Sequence, residues 1–169
     1  DLSENCVSVD NAAGSSSVIL VCEHASHHIP DVFDGLGLLD TDQLSHAVWD
    51  PGAFSVAQKM SQHLDATLVS SRVSRLVYDC NRPPSAADAM PTLSEVIEVP
   101  GNKNLSVDER EARIETYYQP FFNQLQAIVQ ATSGPIIVTV HSFTPIYHGD
   151  QRSVEIGILH DSDTRLTDA

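Results

Sequence analysis

Runs of consecutive apolar residues alternate along the chain with segments whose apolar residues recur at helical spacing. Residues 18–22 are apolar throughout and rich in β-branched side chains, which predicts a strand buried on both faces. Residues 135–140 and 154–159 predict two further strands, and residues 67–70 and 75–79 predict short strands or strand-like segments. Strand-forming runs therefore recur over most of the chain.

The segments between these strands predict helices. Residues 41–49 are typical of a short helix. A second helix is expected over residues 51–64, because Pro51 suits the first helical position, Asp50 suits the N-cap, and apolar side chains follow at helical spacing.

The longest helix is predicted over residues 106–132. It begins with a capping box, in which Ser106 and Glu109 each bond the other's backbone N–H, and Gly134 follows its end. Its buried stripe is expected to consist of Tyr117, Phe121, Leu125, Ile128 and Val129. Residues 81–104 contain four prolines and no clear periodicity, which predicts a long loop that is functional or mobile.

Strands that alternate with helices predict an α/β fold with a largely parallel sheet. The small and polar residues 1–16 are expected to form a flexible lead-in. Residues 17–169 are expected to form one domain, because 169 residues suffice for a single core and no internal repeat is present. No apolar run approaches the roughly 18–20 residues of a membrane-spanning helix.

The charge balance narrows the classes of ligand. Nine Lys and Arg against 23 Asp and Glu give a net charge of −14, which disfavours nucleic acid and anionic membranes as partners. Three of the nine basic residues, Arg72, Arg75 and Arg82, fall within eleven positions. They could form ordinary surface salt bridges, but in so acidic a chain they favour a local site for a small anion.

The cysteines bear on the cellular compartment. Cys6, Cys22 and Cys80 are odd in number and include no C-x-x-C motif. Because Cys22 lies in an apolar run and Cys80 follows another, buried free thiols are expected rather than a disulfide framework. Free thiols favour a reducing, cytoplasmic location.

Polar clusters follow two of the predicted buried strands. Glu23 and His24 come directly after residues 18–22, and His141 and Ser142 come directly after residues 135–140. Ligands of open α/β sheets bind beyond the carboxyl ends of the strands, so the two histidines are expected to converge on one metal ion. Either histidine alone would more simply be structural. Imidazole nitrogen with carboxylate oxygen is the ligand combination of catalytic zinc.

Two carboxylates near these histidines have alternative roles. Asp50 is a candidate third metal ligand, or only the N-cap of the helix over residues 51–64. Glu23 is a candidate ligand, or the general base that takes a proton from water. Because successive strand residues point to opposite faces, Glu23 and His24 can share a site only where the strand has ended.

A second group of polar residues lies between residues 75 and 82. An arginine binds a carboxylate through two parallel N–H groups, which makes Arg75 and Arg82 candidate substrate-binding residues. Asn81 adds an amide that can orient a substrate carbonyl or carboxylate. Asp79 is expected to hold one of the arginines. Taken alone, this segment would be a turn with an ion pair.

Five blocks of the sequence resemble, in their order, the N-formylglutamate amidohydrolase family. The blocks are VCEHASHHIP (21–30), WDPGA (49–53), SRLVYDCNRPP (74–84), IEVPGN (97–102) and VHSFTP (140–145). The similarity runs from about residue 18 to residue 161, and five ordered blocks are far more specific than one short motif.

This resemblance implies a three-layer α/β/α domain, with a mixed, largely parallel sheet, related in fold to zinc-dependent exopeptidases. It implies His24 and His141 as zinc ligands, with Asp50 as the third. Zinc carboxypeptidases carry a Glu three residues after the first metal-binding His. Because that position is His27 here, the roles of Asp50 and Glu23 are transferred less directly.

The resemblance also implies how the substrate is held. Asn81 and Arg82 would bind a substrate carboxylate, with Arg75 behind them and Ser142 beside the second histidine. The implied reaction is zinc-dependent hydrolysis of the amide of an N-acyl amino acid, with Glu23, or a carboxylate outside this chain, as the catalytic carboxylate. For N-formylglutamate, a small anionic substrate, the products would be formate and glutamate.

Two other functions are compatible with the same residues. One is a related zinc amidase or carboxypeptidase-like enzyme that acts on another N-acyl amino acid or peptide. The other is a non-enzymatic module that binds a metal or an anion. Family members extend beyond the matched region, so the domain is expected to be incomplete at its C-terminus. An apolar face beside its last strand and little activity are then expected.

Overall fold

Short strands form one central sheet and two small hairpins. The computed structural model describes residues 6–147, 149–160, 162–164 and 168. In chain order the strands are β1 (Val7–Asp10), β2 (Val18–Cys22), β3 (Thr67–Ser71), β4 (Leu93–Ser94), β5 (Ile97–Glu98), β6 (Ile136–Thr139), β7 (Ile146–Tyr147) and β8 (Asp150–Gln151). The central sheet has the order β1-β3-β2-β6. Strand β2 runs parallel to β3 and β6, and β1 runs antiparallel to β3.

Helices cover both faces of this sheet. They are α1 (Ala53–Leu64), α2 (Val107–Arg113) and α3 (Gln119–Ala131). Because side chains alternate along a strand, Leu20 packs with residues of α1, whereas Ile19 and Val21 pack with Phe121 of α3. The predicted α/β fold with a mixed, largely parallel sheet is confirmed. The three-layer description and the relationship to zinc exopeptidases stay predictions.

The longest helical stretch begins at the predicted capping box. The Ser106 hydroxyl accepts a hydrogen bond from the Glu109 backbone N–H at 3.2 Å, and the Glu109 carboxylate accepts one from the Ser106 backbone N–H at 2.8 Å. A π-helical turn over Ile114–Tyr118 joins α2 to α3, so the helical path is continuous. Tyr117 and Phe121 of the predicted stripe are fully buried, and its other members are half-buried.

Helix α1 begins two residues later than predicted. Its N-cap is Gly52, with φ of 84°, and no side chain caps its first turn. The left-handed conformation of Gly52 turns the chain sharply between Asp50 and the helix. Asp50 is therefore not the N-cap, and its carboxylate is directed elsewhere.

Two further predictions, for residues 7–10 and for residues 41–49, are wrong. Residues 7–10, assigned to a flexible lead-in, form edge strand β1, because Val9 and its neighbours pair in register with β3. Residues 41–49 form successive turns instead of a helix. The Ser45 hydroxyl accepts a hydrogen bond from the Ala47 N–H, and such local bonds of serine compete with helix formation.

Residues 75–79 form a turn rather than a strand. The Ser74 hydroxyl donates to the Val48 carbonyl and accepts from the Leu76 N–H, and the Ser74 carbonyl accepts from the Val77 N–H. The apolar side chains of this segment are buried in the core without any strand pairing. Burial alone therefore produced the strand-like pattern.

The predicted strand over residues 154–159 is also wrong. These residues have no regular structure, and their apolar side chains are exposed, up to 94% for Leu159. An apolar run forms a strand only where a neighbouring strand accepts its hydrogen bonds, and β6 pairs only with β2 among the described residues. Within the same residues, no helix is long and apolar enough to cross a bilayer.

Candidate active site

The two predicted histidines meet at the carboxyl ends of neighbouring strands. His24 lies two residues beyond Cys22, the last residue of β2, and His141 lies two residues beyond the end of β6. Because β2 and β6 are parallel and adjacent, both strands end at the same edge of the sheet. The centroids of the two imidazole rings are 4.9 Å apart. The predicted convergence of these two residues is present in the structure.

Asp50 lies between the two imidazoles. Its Oδ2 atom is 2.9 Å from His141 Nδ1 and 3.3 Å from His24 Nδ1. The Asp50 backbone N–H donates to the His24 carbonyl at 3.0 Å, which ties the turn before α1 to the end of β2. The sequence left two roles open for Asp50, as a metal ligand or as the N-cap of the helix. Its position between the two histidines is compatible with the first role.

The donor atoms of this cluster fit a small divalent cation. One ligand atom each from His24, Asp50 and His141 lies within 4.8 Å of the others. Two imidazoles and a carboxylate are a ligand set found in catalytic zinc sites, where a fourth position stays open. The residues present therefore fit the metal that the resemblance implied.

A second layer of hydrogen bonds orients His24. Its Nε2 atom is 2.7 Å from Asp79 Oδ1, which leaves Nδ1 to face Asp50. The Asp79 carboxylate also accepts from the Arg75 guanidinium at 3.2 Å and from the Asn81 backbone N–H at 2.9 Å. Metal-binding histidines commonly donate their second ring N–H to a carboxylate in this way. Asp79 does hold an arginine, as predicted, and it also fixes His24.

Opposing effects set the pKa values within the cluster. Burial alone would lower the pKa of His24, but hydrogen bonds to Asp50 and Asp79 outweigh it and raise that pKa. Burial alone would raise the pKa of Asp50, but its contacts with His141 and His24 hold that pKa well below the usual range. Protonation of His24 and ionisation of Asp50 therefore favour each other, and a cation that bound His24 would compete with its proton.

Glu23 is the least satisfied polar residue in the cluster. Its Oε2 atom is buried and has no hydrogen-bond partner among the described residues. The nearest ring nitrogen, His141 Nε2, lies 3.6 Å away, which is too long for a hydrogen bond. Burial raises the pKa of Glu23 more than the nearby histidines lower it. A buried carboxylate beside a candidate metal site, with one oxygen that has no hydrogen-bond partner among the described residues, has the properties of a general base.

A cavity of about 310 Å³ opens beside the cluster, at the small end of the range for small-molecule sites. Its lining includes Asp50 together with the predicted residues Arg75 and Ser142. His46, Glu95 and Arg152 also line it, and none of these three was predicted from the sequence. His46 lies in the segment wrongly predicted as a helix, Glu95 in the turn between β4 and β5, and Arg152 directly after β8.

For two residues, Asn81 and Arg82, the role in substrate binding stays a prediction. Asn81 and Arg82 are not among the described residues that line the cavity. The Arg82 guanidinium donates to Asp88 at 2.8 Å and to the Asn81 carbonyl at 3.0 Å. Arg75 does line the cavity, but its two terminal nitrogens donate to Asp50 and Asp79.

The sequence matches a known family over nearly its whole length. The sequence profile of N-formylglutamate amidohydrolases matches residues 16–169. The chain belongs to this family. The crystal structure of gene product Atu2144 from Agrobacterium tumefaciens is similar, with a TM-score of 0.93 and 51% sequence identity. The similarity covers 97% of this chain and 67% of that chain. No curated protein matches the sequence.

Membership of the N-formylglutamate amidohydrolase family indicates the class of reaction in which the cluster would take part. The family name denotes hydrolysis of a carbon–nitrogen bond in a small substrate. The two histidines, the buried carboxylates and the adjoining cavity are the features of this chain that such a reaction would use.

Proposed function

We propose that this chain carries the catalytic centre of a metal-dependent amidohydrolase that cleaves the amide of an N-acyl amino acid, with N-formylglutamate as the first candidate substrate. The observation that carries the proposal is the meeting of His24, Asp50 and His141 beside a buried Glu23 and a cavity. The donor set favours Zn²⁺ among divalent cations. When bound, such a cation supplies a Lewis acid that polarises an amide carbonyl.

The residues around the cluster have separate tasks in this proposal. Glu23 takes a proton from the attacking water and passes it to the leaving nitrogen, a role that suits a carboxylate whose pKa is raised by burial. Asp79 would keep His24 in the tautomer whose Nδ1 is available to a metal ion. Arg75 holds Asp50 and Asp79 and acts as a positioning residue.

The three cysteines add a proposal about location. Cys6, Cys22 and Cys80 form no disulfide among the described residues, and Cys6 and Cys22 are buried. Free thiols support a reducing compartment, and we propose the cytoplasm.

The first test measures zinc binding without relying on the reaction. His24→Ala and His141→Ala should each lower zinc affinity by more than tenfold, because one of three ligands is lost. His63→Ala, in an exposed histidine of α1, is the matched control and should bind zinc normally. Full zinc affinity in both site variants would show that the metal binds elsewhere.

The second test concerns the reaction itself. The zinc-loaded protein should release formate from N-formylglutamate, and a panel of other N-acyl amino acids and short peptides should define the acyl group. Bound zinc without turnover of any member of that panel would contradict the proposed activity and favour a non-enzymatic module.

A further inference from the structure

The turn over residues 75–79 presents two side chains to the metal cluster, although it pairs with no strand among the described residues. Backbone carbonyls of a buried turn need hydrogen-bond donors from elsewhere in the chain. Two of them are bonded by the buried side chains of Asn102 and Arg113. We propose that these are positioning residues of the candidate site, because they hold the turn so that Asp79 reaches His24. This inference rests on the proposed function, since it concerns the same site.

The Asn102 side chain uses both its donors and its acceptor in the protein interior. Its Nδ2 atom donates to the Leu76 carbonyl and to the Pro91 carbonyl, both at 2.8 Å. Its Oδ1 atom accepts from Arg113 at 2.7 Å. An amide has two N–H donors, so the two carbonyls use both of them and fix the direction of the group. Asn102 therefore joins the turn to the long loop over residues 81–104.

Arg113 holds the same turn from helix α2. Its Nη1 atom donates to the Val77 carbonyl at 3.2 Å and to Asn102 Oδ1 at 2.7 Å, and its Nη2 atom donates to the Gly101 carbonyl at 3.3 Å. Its guanidinium carbon lies 4.5 Å from the centroid of the Phe33 ring. These hydrogen bonds all go to neutral oxygens, and a buried charge on neutral partners is unfavourable for folding. A requirement for a rigid turn would account for that cost.

Further contacts connect this turn to the metal cluster. The Ser74 hydroxyl donates to the Val48 carbonyl at the start of the turn, and the Asp79 backbone N–H donates to the Ala89 carbonyl at its end, both at 2.8 Å. The Asp79 carboxylate lies 2.7 Å from His24 Nε2. Because a hydrogen bond weakens steeply with distance and angle, a small displacement of the turn would release the ring.

Zinc affinity, measured by competition with a chromogenic chelator, tests this inference. Asn102→Ala should weaken zinc binding about tenfold, because Asp79 no longer orients His24. Ser61→Ala is the matched control, since the buried Ser61 hydroxyl also donates to a carbonyl, that of Ala66, at 2.6 Å. This bond precedes β3, at the end of the sheet away from the site, so its loss should lower the Tm and leave zinc affinity unchanged. Equal zinc affinity in Asn102→Ala and wild type overturns the inference.

A double-mutant cycle separates positioning from general destabilisation. If Asn102 acts through Asp79, adding Asn102→Ala to the Asp79→Asn protein should change zinc affinity by less than about twofold, because the contact that it supports is already weakened. If the two effects on zinc affinity instead multiply, Asn102 acts by another route and the inference is overturned.

Arg113→Lys provides a second variant in case Asn102→Ala does not fold. Lys keeps the charge and the apolar stem, but it lacks the planar fork that donates to both Val77 and Asn102. Zinc affinity should fall about three- to tenfold. Arg110→Lys makes the same substitution in α2 outside this network and should have no effect. Equal zinc affinity in the two lysine variants would contradict the inference.

A measurement on metal-free protein distinguishes failure of this inference from failure of the proposed function. NMR at one fixed pH would compare the ring nitrogens of His24 and His63. Asn102→Ala should move the signals of His24, which Asp79 contacts, and leave those of His63 in place. If the His24 signals move but wild type binds no zinc, the proposed metal centre is wrong and the positioning role stands. If wild type binds zinc and releases formate, but Asn102→Ala changes neither the His24 signals nor zinc affinity, the proposed function stands and this inference is wrong.

Discussion

At the scale of single residues, the candidate site holds polar groups in surroundings that are unfavourable for folding. Glu23 is buried with one oxygen that has no hydrogen-bond partner among the described residues, although buried polar groups are normally paired. Burial of a carboxylate without a partner lowers the free energy of unfolding. The presence of Glu23 beside two histidines therefore needs a compensating role. The proposed role in proton transfer would account for its burial, its raised pKa and its position.

Glu23→Gln should separate this cost from catalysis. We expect turnover to fall by about 10²- to 10⁴-fold, because the general base is lost, while zinc stays bound. A raised carboxyl pKa means that the wild-type contribution to stability is present below the ordinary Glu pKa and is lost as pH rises through the raised value. The metal-free variant should therefore melt higher than wild type at neutral pH, and the two should converge in acid.

The melting curves with chelator and the formate assay check the two halves of this prediction. If Glu23→Gln retains activity, Glu23 has no role in the reaction. If metal-free Glu23→Gln melts lower than wild type at neutral pH, the wild-type carboxylate is stabilised by a contact outside the described residues.

Asp79 provides a second prediction at the residue scale. Asp79→Asn should weaken zinc binding about 10- to 100-fold without removing a ligand, because the hydrogen bond that orients His24 loses its charge. Asp88→Asn is the matched control, since Asp88 is an exposed aspartate paired with Arg82. Competition with a chromogenic chelator measures both affinities. Equal zinc affinity in the two variants would contradict a role for Asp79 in orienting His24.

At the scale of secondary-structure elements, the sequence correctly predicted the strands and helices that are marked by a local pattern of residues. Strands β2 and β6 are marked by apolar runs, and the helix over residues 106–132 is marked by its capping box. The positions of His24 and His141 followed from those strands, because a parallel sheet brings their carboxyl ends together.

The errors in the sequence analysis arise where structure depends on distant partners. Residues 75–79 resemble a strand because they are buried, but Ser74 holds them in a turn through a bond to Val48. Residues 154–159 resemble a strand, but no described strand pairs with them. Arg152 went unnoticed because it follows Asp50 by about 100 positions in the chain, and only the fold brings both residues to the lining of one cavity. Such contacts leave no periodic signal in the sequence.

The turn before α1 supplies a prediction at this scale. Gly52 and Gly134 both have positive φ, of 84° and 59°, and an added Cβ would meet no atom within 4 Å at either position. Gly52→Ala and Gly134→Ala should therefore each cost about 1–2 kcal/mol of stability through backbone strain alone. Only Gly52→Ala should also weaken zinc binding, because relief of that strain moves Asp50. Equal zinc affinity in the two variants would show that Asp50 is held independently of the turn.

At the scale of the whole molecule, the candidate site contains several of the carboxylates that contribute to the negative net charge of the chain. The net charge is −14, and three buried carboxylates, Glu23, Asp50 and Asp79, surround the histidines. Repulsion among these groups opposes folding unless cations balance it. Arg75 provides part of that balance through Asp50 and Asp79. A divalent cation would provide the rest, so metal binding and global stability should be coupled.

This coupling should be visible in thermal unfolding. With free zinc at about 100 times its Kd, binding should stabilise the fold by about 2.7 kcal/mol and raise the Tm by about 5–10 °C. At a fixed zinc concentration, the gain should grow as pH rises, because the Kd for zinc falls. The raised pKa of His24 stabilises the metal-free protein at low pH, and this contribution is lost as pH rises through that pKa, while zinc requires the deprotonated ring. Calorimetric scans with zinc or chelator at several pH values measure the difference, with His63→Ala as the control. In His24→Ala the gain and its pH dependence should both disappear; their survival would place the stabilising zinc at another site.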